Sequence, residues 1–285
     1  MDKKLAFAEM DKQFQKQLEE ARKYREATDT ECDQMDGFNV LELGHWITLC
    51  KAAGVPYVPA ENVATASKQS LMNAIDGEVD ESAAAFWTAV EAFKERVGKG
   101  FMLRWSCCSC AEVKSRLGNG EPEWHSDLMK YFMLDDIRAS DLVYDYPGKN
   151  VSAWGRPWVQ FYVLDGYPVE YRAFVEENAL IGISNYYPQR PLPDNAETQE
   201  DIGSVTRHVM SMIAKQNKPI ICPQAPSIHK GESNWWTADF ARLPSGAIVF
   251  LEGGPAHFPG GGAHCCCFPP GEIDGVALEA VWKYY

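Results

Sequence analysis

The chain has 285 residues, of which 46% are hydrophobic and 12% aromatic, which is enough for a large buried core. Lys and Arg number 27 against 40 Asp and Glu, so the formal net charge is −13. This composition excludes disorder throughout the chain, and the acidic balance argues against a protein that coats nucleic acid without sequence preference.

Local patterns bear on membranes and on the redox compartment. No apolar run approaches the roughly 20 residues that span a bilayer, and residues 1–24 contain no apolar secretory region. The nine cysteines are an odd number and include the run Cys265–Cys267, which makes a poor disulfide framework. We therefore expect no membrane partner and a cytoplasmic location, which is the host cytoplasm if the protein is viral.

The first third of the chain is predicted to be mainly helical. Charged and helix-favouring residues without Gly or Pro predict the first helix, and glycine stop signals end the next two. The predicted helices are Asp2–Ala27, Val40–Ala53 before Gly54, and Glu81–Val97 before Gly98. We treat residues 1–99 as a helical N-terminal region with no assigned chemistry.

From Gly100 onward, strand-like runs alternate with single helices. The predicted strands are Phe101–Trp105, Pro157–Leu164, Val169–Glu176, Leu180–Tyr187, Trp235–Leu243 and Ala247–Glu252. The predicted helices are Asp127–Ile137, Glu197–Lys215 and Val276–Trp282. This order predicts an α+β fold of two lobes.

The last hairpin brings two carboxylates together. Residues 244–246 form a turn signal, and pairing symmetric about Ser245 and Gly246 places Asp239 opposite Glu252, with Cβ atoms about 5 Å apart. Two like charges so placed need compensation, and Mg²⁺ suits them because the flanking runs offer no local cation. The alternatives are a one-residue register slip, or a nearby Arg or Lys that satisfies both carboxylates.

An earlier hairpin carries a charged pair inside an apolar strand. Its turn at residues 177–178 puts Glu170, Arg172 and Phe174 on one face, with Asn185 opposite Glu170. Such a pair is unusual for a purely structural strand. The alternative is a solvent-facing ion pair without function, worth about 0–1 kcal/mol.

These pieces, in this order, resemble the ATP-grasp superfamily of nucleotide-dependent ligases. The signature E-[YF]-R-x-F-V matches Glu170–Val175, and I-[GA]-I-S matches Ile181–Ser184. Arg104, in the run FMLRW, stands where most members have lysine. A phage-rich clade with this arginine, which also resembles a translation-factor assembly chaperone family, is the most similar group. The resemblance covers residues 100–260.

The resemblance implies a two-lobed ATP-grasp fold with antiparallel sheets and the cofactors ATP and Mg²⁺. Residues 100–165 would form the first lobe and hinge, and residues 166–285 the second lobe with the metal site. The family's ending E-x-N reads Glu252-Gly253-Gly254 here, so the asparagine ligand is missing.

The resemblance also implies a role for each candidate residue. The implied roles are as follows: Asp239 and Glu252 bind the metal; Arg104 contacts the α/β-phosphates; Arg172 contacts the transferring phosphate or acyl phosphate; Lys114 and Arg116 lie in a phosphate-covering loop; Gln160, Phe161, Tyr162 and Val163 form the adenine hinge; and Glu170 orients Arg172 or touches the ribose. Lys114 and Arg116 are equally well explained as solvated loop charges.

The implied reaction activates a carboxylate as an acyl phosphate, which an amine or related nucleophile attacks. The substrates would be small-molecule or peptide carboxylates and amines, with the glycine-rich segment Gly253–His264 lining the acceptor site or forming a surface loop. One alternative is a nucleotide-binding assembly chaperone with a protein partner and little turnover, which the missing asparagine favours. Another is ATP-dependent nucleic-acid end-joining or phosphotransfer, which the acidic charge disfavours.

The cysteines offer a competing site. Cys107 and Cys110 have zinc-like spacing and would be joined by His257, His264 and the run Cys265–Cys267. Three adjacent thiolates cannot easily share one tetrahedral ion, so buried cysteines that behave as small apolar residues are the more common explanation.

Overall fold

A computed structural model describes residues 37–119, 128–134, 136, 143, 146, 148–176, 178–187, 192–221, 235–255 and 281–283. The helices among these residues are α1 (Leu43–Ala53), α2 (Lys68–Ile75), α3 (Glu81–Val97), α4 (Ala111–Gly118) and α5 (Ala196–Lys215), with a 3₁₀ helix at Leu128–Tyr131. The strands are β1 (Phe38–Asn39), β2 (Glu61–Ser67), β3 (Phe101–Trp105), β4 (Asn150–Pro157), β5 (Val163–Leu164), β6 (Tyr167–Pro168), β7 (Glu170–Glu176), β8 (Ala179–Asn185), β9 (Ile220–Ile221), β10 (Trp235–Arg242), β11 (Ile248–Pro255) and β12 (Val281–Lys283).

The first lobe is built on a three-stranded antiparallel sheet in the order β2-β4-β3, with α3 packed against it. Helix α3 begins where the Asp80 carboxylate accepts a hydrogen bond from the Ala83 amide, and it ends at Gly98. Its residue Phe93 packs directly on β4, because a Cβ at Gly155 would lie only 2.2 Å from the Phe93 ring. Glycine at position 155 therefore allows this helix to pack closely against the sheet.

The second lobe is built on a five-stranded sheet in the order β11-β10-β7-β8-β12. Neighbouring strands are antiparallel except β8 and β12, which run parallel. Helices α1 and α5 pack together on the face that carries Tyr171 and Phe240, where Trp46 joins the core. The opposite face carries Arg172 and Asp239, and it looks toward the first lobe.

The described part of the predicted N-terminal region is shared between the lobes. Helix α1 begins at Leu43, three residues later than predicted, and ends as predicted at Gly54, which adopts a left-handed φ of 66°. It packs on the second lobe, whereas β2 belongs to the same sheet as β3 and β4. The predicted boundary at residue 99 thus separates segments that this sheet joins. The predicted helix Asp2–Ala27 lies outside the described residues.

Several predicted elements are confirmed and others are wrong. Strand β3 and helix α3 have the predicted bounds, and β7, β8, β10, β11 and α5 lie within a few residues of prediction. The predicted strand Pro157–Leu164 is wrong over most of its length, because β4 ends at Pro157 and strand structure resumes only at Val163–Leu164, which form β5. The C-terminal helix is wrong at its described end, where residues 281–283 pair with β8. Within the described ranges, no helix has the length and apolar character needed to cross a membrane.

Candidate functional site

Asp239 and Glu252 stand opposite each other on β10 and β11, as the hairpin arithmetic predicts. The route to this register differs from the prediction. Nearer the turn the pairing is offset by one residue, with Phe240 opposite Phe250. A β-bulge between Asp239 and Phe240 then takes up Leu251 as an extra residue and restores the predicted pairing. The alternative of a slip that turns one carboxylate away is therefore excluded.

Both carboxylates are held by cationic side chains, Asp239 by one and Glu252 by two. Arg172 donates from Nε and Nη2 to the two oxygens of Asp239, at 2.7 and 2.6 Å. Glu252 accepts from Nη1 of Arg104 at 2.8 Å and from Nζ of Lys114 at 2.7 Å. The alternative of a nearby Arg or Lys is found here, because Arg172, 67 positions away in the chain, lies opposite Asp239 on β7. Within the part of the chain that the structure describes, no single cation satisfies both carboxylates, since Glu252 is held by Arg104 and Lys114.

The Arg172 guanidinium is fixed in its charged form. Burial alone lowers the pKa of Arg172, but the charge of Asp239 and its two hydrogen bonds outweigh burial and hold that pKa well above its usual value. The Tyr186 ring lies beside two cations of the cluster, with its centroid 4.7 Å from Cζ of Arg172 and 5.1 Å from Nζ of Lys114. Cations from both lobes thus meet at one aromatic ring.

Glu170 is buried next to this cluster, at the start of β7. The Tyr187 hydroxyl donates a hydrogen bond to its Oε2 at 3.2 Å. Burial raises the pKa of Glu170 to about 7, although the positive charge of Lys114 opposes that shift. Glu170 is therefore the carboxyl group of the site whose charge changes near neutral pH.

The neighbourhood predicted for Glu170 is partly wrong. A bulge between Phe174 and Val175 shifts the register of β7 and β8, so that Asn185 lies opposite Tyr171 rather than opposite Glu170. Arg172 forms its ion pair with Asp239. The alternative of a solvent-facing pair within β7 is therefore excluded.

A narrow cleft runs from the carboxylate cluster to the predicted hinge. It is lined by Val58, Met102, Ser109, Val113, Lys114, Leu117, Arg156, Pro157, Trp158, Val159, Phe161, Glu170, Leu251 and Glu252. The enclosed cavity is about 30 Å³, which is room for about one water molecule. Pockets that hold small ligands usually measure roughly 300–1,000 Å³, so the cleft is closed in this structure.

The four predicted hinge residues have different environments in the structure. Of the four, Phe161 lines the described cleft, and Gln160 is exposed. The Tyr162 amide donates to the carbonyl of Arg242 at 2.8 Å, and its carbonyl accepts from Val169 at 2.9 Å. Val163 begins the short strand β5. Because the backbone groups of Tyr162 are already bonded, residues 159–161 are the better candidates to face a base.

Lys114 and Arg116 lie on helix α4 and not on a loop. Lys114 reaches across to Glu252, which makes it part of the cluster. Arg116 instead pairs with Glu112 one turn earlier on the same helix, at 2.7 Å. The solvated-charge explanation therefore suits Arg116 and fails for Lys114.

Sequence reasoning missed one charged residue of the cleft, Arg156. It lies on β4, immediately before the hinge, and its guanidinium donates to the carbonyl of Leu251 in the second lobe at 3.1 Å. The sequence feature that could have revealed it is an arginine inside the run Trp154–Trp158, which is apolar apart from this residue. The predicted strand began at Pro157, one residue too late to include Arg156.

The cysteine cluster has no partner set for zinc within the described residues, where no group of three or more metal-binding side chains is found. Cys108 and Cys110 are buried, and burial raises the pKa of Cys110 well above its usual value, which keeps that thiol protonated. His257, His264 and Cys265–Cys267 lie outside the described residues. The buried-cysteine explanation suits the described part.

Comparisons with known proteins show a fold but no close relative. No protein-family model matches the chain, and no curated protein has significant sequence similarity to it. The solved structures that resemble it include C-terminally truncated Cdc123 from Schizosaccharomyces pombe, with 9% identity and a TM-score of 0.53 over 86% of this chain and 95% of that chain.

Two ligase structures resemble the chain more remotely. One is a biotin carboxylase–ATP complex from Campylobacter jejuni, with 12% identity and a TM-score of 0.39 over 78% of this chain and 41% of that chain. The other is the D-cycloserine synthetase DcsG, with 12% identity and a TM-score of 0.38 over 77% of this chain and 63% of that chain. At such distances these two similarities carry no functional argument.

The predicted fold class is confirmed. The chain has a two-lobed α+β fold with mainly antiparallel sheets, and this fold resembles that of Cdc123. The site lies where the two lobes meet, because Arg104 and Lys114 come from the first lobe while Asp239 and Glu252 come from the second.

Proposed function

We propose that the chain is an ATP-dependent ligase that activates a carboxylate as an acyl phosphate for attack by an amine or a related nucleophile. The observation that carries this proposal is the meeting of cations from both lobes around two carboxylates in register, Asp239 and Glu252. Isolating such charges from water costs stability. Proteins keep buried charge despite this cost chiefly where a function requires it.

The charge balance of the cleft suits a polyphosphate. Around the cleft, the described cations Arg104, Lys114, Arg156 and Arg172 exceed the described carboxylates Glu170, Asp239 and Glu252 by one charge. Protonation of Glu170 near neutral pH raises the excess by one more charge. A ligand with several negative charges would compensate this excess.

The two carboxylates fit a magnesium ion that accompanies a nucleotide. Mg²⁺ is usually held by one or two protein carboxylates together with substrate phosphates, and Asp239 and Glu252 face each other in register. When bound, Mg²⁺ would neutralise phosphate charge and help to hold the phosphates in line. For this, phosphates would have to replace the two carboxylates as partners of Arg172, Arg104 and Lys114.

The chain's own residues would then position the reactants. Arg104 and Lys114 are placed to hold the α/β-phosphates, and Arg172 is our candidate for the transferring phosphate or the acyl phosphate. Such groups lower the barrier by orientation and by stabilising negative charge, without a protein nucleophile. Glu170 is placed to touch the ribose or to orient Arg172.

Nucleotide binding would require the lobes to separate. The enclosed cavity of about 30 Å³ is far smaller than a nucleotide site, and the contacts that close it are the pairs of Glu252 with Arg104 and Lys114. Phosphates that take over those cations would release Glu252 and open the cleft at the same time.

The proposal is tested by product analysis. The full chain is incubated with Mg²⁺, ATP and mixed amino acids or peptides, while ADP, phosphate and AMP are measured. We expect ADP and phosphate to form only when a carboxylate and an amine are both present. Asp239→Asn and Glu252→Gln should abolish this release, whereas the exposed control Glu200→Gln should retain it. AMP as the product, or unchanged turnover in Asp239→Asn, would overturn the proposal.

A second function, nucleotide binding with little turnover in an assembly chaperone, is favoured by Gly254. The resemblance places an asparagine ligand here, and among the described residues a Cβ at Gly254 would meet only Thr237 Oγ1, at 3.9 Å. Packing therefore does not require glycine, and an oxygen ligand is missing without a steric reason. A site that binds Mg-ATP without turning it over would have no need of that ligand.

The same assay separates the two functions. Saturable Mg-ATP binding without ADP formation would favour the binding module, and ADP formation that depends on an amine would favour the ligase. In the first case, Gly254→Asn should increase magnesium-dependent ATP hydrolysis, with Gly254→Ala as the matched control. An asparagine variant no more active than the alanine variant would show that the missing ligand does not limit turnover.

A further inference from the structure

We propose that Arg156 forms a two-arginine clamp with Arg104 that binds a phosphate of the nucleotide. This inference rests on the proposed function and adds a residue to it. Neither the resemblance nor the sequence motifs assign a role to Arg156.

Arg156 is a buried guanidinium that the protein leaves poorly compensated. It is 8% exposed, and within the described part of the chain no carboxylate lies within 4.0 Å of it. Its Nη1 donates to the Leu251 carbonyl at 3.1 Å, and its Nε approaches the weak acceptor Sδ of Met102 at 3.5 Å. Nη2 has no partner among the described residues, and it is not one of the side-chain atoms that are both unpartnered and shielded from solvent. A largely buried charge with so few direct partners is costly, and a ligand could complete it.

The sheet places Arg156 beside Arg104. On β3 and β4, Met102 pairs with Arg156 and Arg104 pairs with Trp154, so the two arginines are diagonal neighbours on one face. Diagonal neighbours lie within reach of long side chains. Burial lowers the pKa of Arg156 to about 10, and the positive charge of Arg104 adds to that effect, while the charges of Glu252 and Glu170 oppose it without cancelling it. An anion between the two guanidinium groups would relieve both penalties.

The position of the pair favours a phosphate as that anion. Arg156 lines the cleft between the hinge end, at Trp158 and Phe161, and the cluster end, at Glu252. A ligand whose base faces the hinge and whose terminal phosphates reach Glu252 passes Arg156 with its first phosphates. Guanidinium groups bind phosphate oxygens through two parallel hydrogen bonds, and they keep their charge when buried.

The experiment measures the dissociation constants of ATP and of inorganic tripolyphosphate by calorimetry, with Mg²⁺ present. The proteins are the wild type, Arg156→Met, Arg156→Lys and the exposed control Arg207→Met, all as full chains. We expect Arg156→Met to weaken both ligands by about 10- to 100-fold, which is typical of a charged hydrogen bond. Arg156→Lys should weaken them less, and Arg207→Met should leave both unchanged.

A second measurement separates ligand binding from a structural role. Without ligand, Arg156→Met should unfold at the same temperature as the wild type or higher, because the buried charge that is removed has no directly bonded carboxylate among the described residues. Tripolyphosphate should raise the unfolding temperature of the wild type more than that of the variant. A ligand-free variant that unfolds at a clearly lower temperature would overturn the inference.

Three further outcomes separate failure of the arginine clamp from failure of the proposed function. Loss of ATP affinity without loss of tripolyphosphate affinity would place Arg156 at the base or ribose and overturn the phosphate clamp. Equal ATP affinity in Arg156→Met and the wild type would overturn this inference and leave the proposed function standing. A wild type that binds neither ligand would overturn both.

Discussion

Two arginine–carboxylate clusters lie on opposite faces of strands β7 and β10, and they differ in charge balance and in access to water. In the outer cluster, Arg242 contacts Glu197 and Asp201 of α5, and the Tyr171 hydroxyl donates to Asp201 at 2.7 Å. Carboxylates are in excess there, and the Glu197 side chain is 55% exposed.

The inner cluster has the opposite character. The side chain of Asp239 is 1% exposed and that of Glu252 is 13% exposed. Among the described residues around the cleft, four cations face three carboxylates. The outer cluster joins a helix to the sheet through one exposed carboxylate, Glu197, and one buried carboxylate, Asp201, whose side chain is 6% exposed. The inner cluster concentrates buried charge without gaining stability from it, which is what a binding site requires. The difference separates an ion pair that supports the fold from one that we propose is kept for a ligand.

Removing one carboxylate from each cluster should give the largest contrast. Asp239→Asn leaves Arg172 buried without its partner and should lower the free energy of unfolding by about 3–5 kcal/mol. Glu197→Gln removes an exposed partner and should lower it by less than about 1 kcal/mol. Urea unfolding of both variants checks this. Similar losses in the two variants would contradict the distinction between the clusters.

The pH dependence of stability sharpens the comparison further. Burial raises the pKa of Glu170 from an ordinary 4.5 to about 7, so between these values the folded chain holds a proton that the unfolded chain releases. This contribution to stability is complete below pH 4.5 and is lost as the pH rises to 7. Glu170→Gln mimics the protonated form. Above pH 7 it should therefore be more stable than the wild type, by up to about 3 kcal/mol.

Urea unfolding of the wild type and Glu170→Gln at several pH values from 4.5 to 8 tests this. The difference between the two proteins isolates Glu170 from the other titrating groups. A difference that stays constant across this range would show that the carboxyl group ionises at its ordinary pH.

Two adjacent glycines test how the strand that carries Glu252 is held in place. A Cβ at Gly253 would lie 2.3 Å from the Trp46 ring, whereas a Cβ at Gly254 would meet only Thr237 within the described ranges, at 3.9 Å. Gly253→Ala should therefore lower the free energy of unfolding by about 1–3 kcal/mol, and Gly254→Ala by less than about 0.5 kcal/mol. Denaturant unfolding checks both, and equal effects would mean that Trp46 does not hold this strand.

Lys114 should give the smallest change in stability, together with a change in binding. Its partner Glu252 keeps Arg104, and the Lys114 side chain is 22% exposed, so Lys114→Met should lower the free energy of unfolding by no more than about 1 kcal/mol. Its affinity for tripolyphosphate should fall by about 3- to 10-fold, since one phosphate partner is lost. Calorimetry measures this, and unchanged affinity would remove Lys114 from the site.

Local patterns predicted much of this fold. The stop at Gly98 and the apolar spacing of Glu81–Val97 located helix α3 with its observed bounds. Strand β2 was missed, because Glu61–Ser67 carries small and polar residues with alternate positions exposed and lies among helices. Its strand character comes from pairing with β4, which is distant in the sequence.

The same holds for the candidate site, where local patterns predict contacts within one hairpin but not contacts between distant segments. The pairing of Asp239 with Glu252 is local to one hairpin and was predictable, although a bulge compensated for an error in the assumed turn. The pairing of Arg172 with Asp239 depends on the order of strands β7 and β10, which hairpin arithmetic cannot supply. Arg156 joins the site through a contact between the lobes that no local pattern predicts. Lys114 was predicted as a site residue, but on a loop, and its contact with Glu252 from a helix was not predicted.

The central claim is that the inner cluster is a binding site for a nucleotide polyphosphate. Calorimetric titration of Mg-ATP into the wild type and into Arg104→Met tests it most directly. We predict saturable binding of one nucleotide per chain to the wild type, and affinity at least about 10-fold weaker in the variant. No measurable binding to the wild type, or equal affinity in both proteins, would contradict the claim.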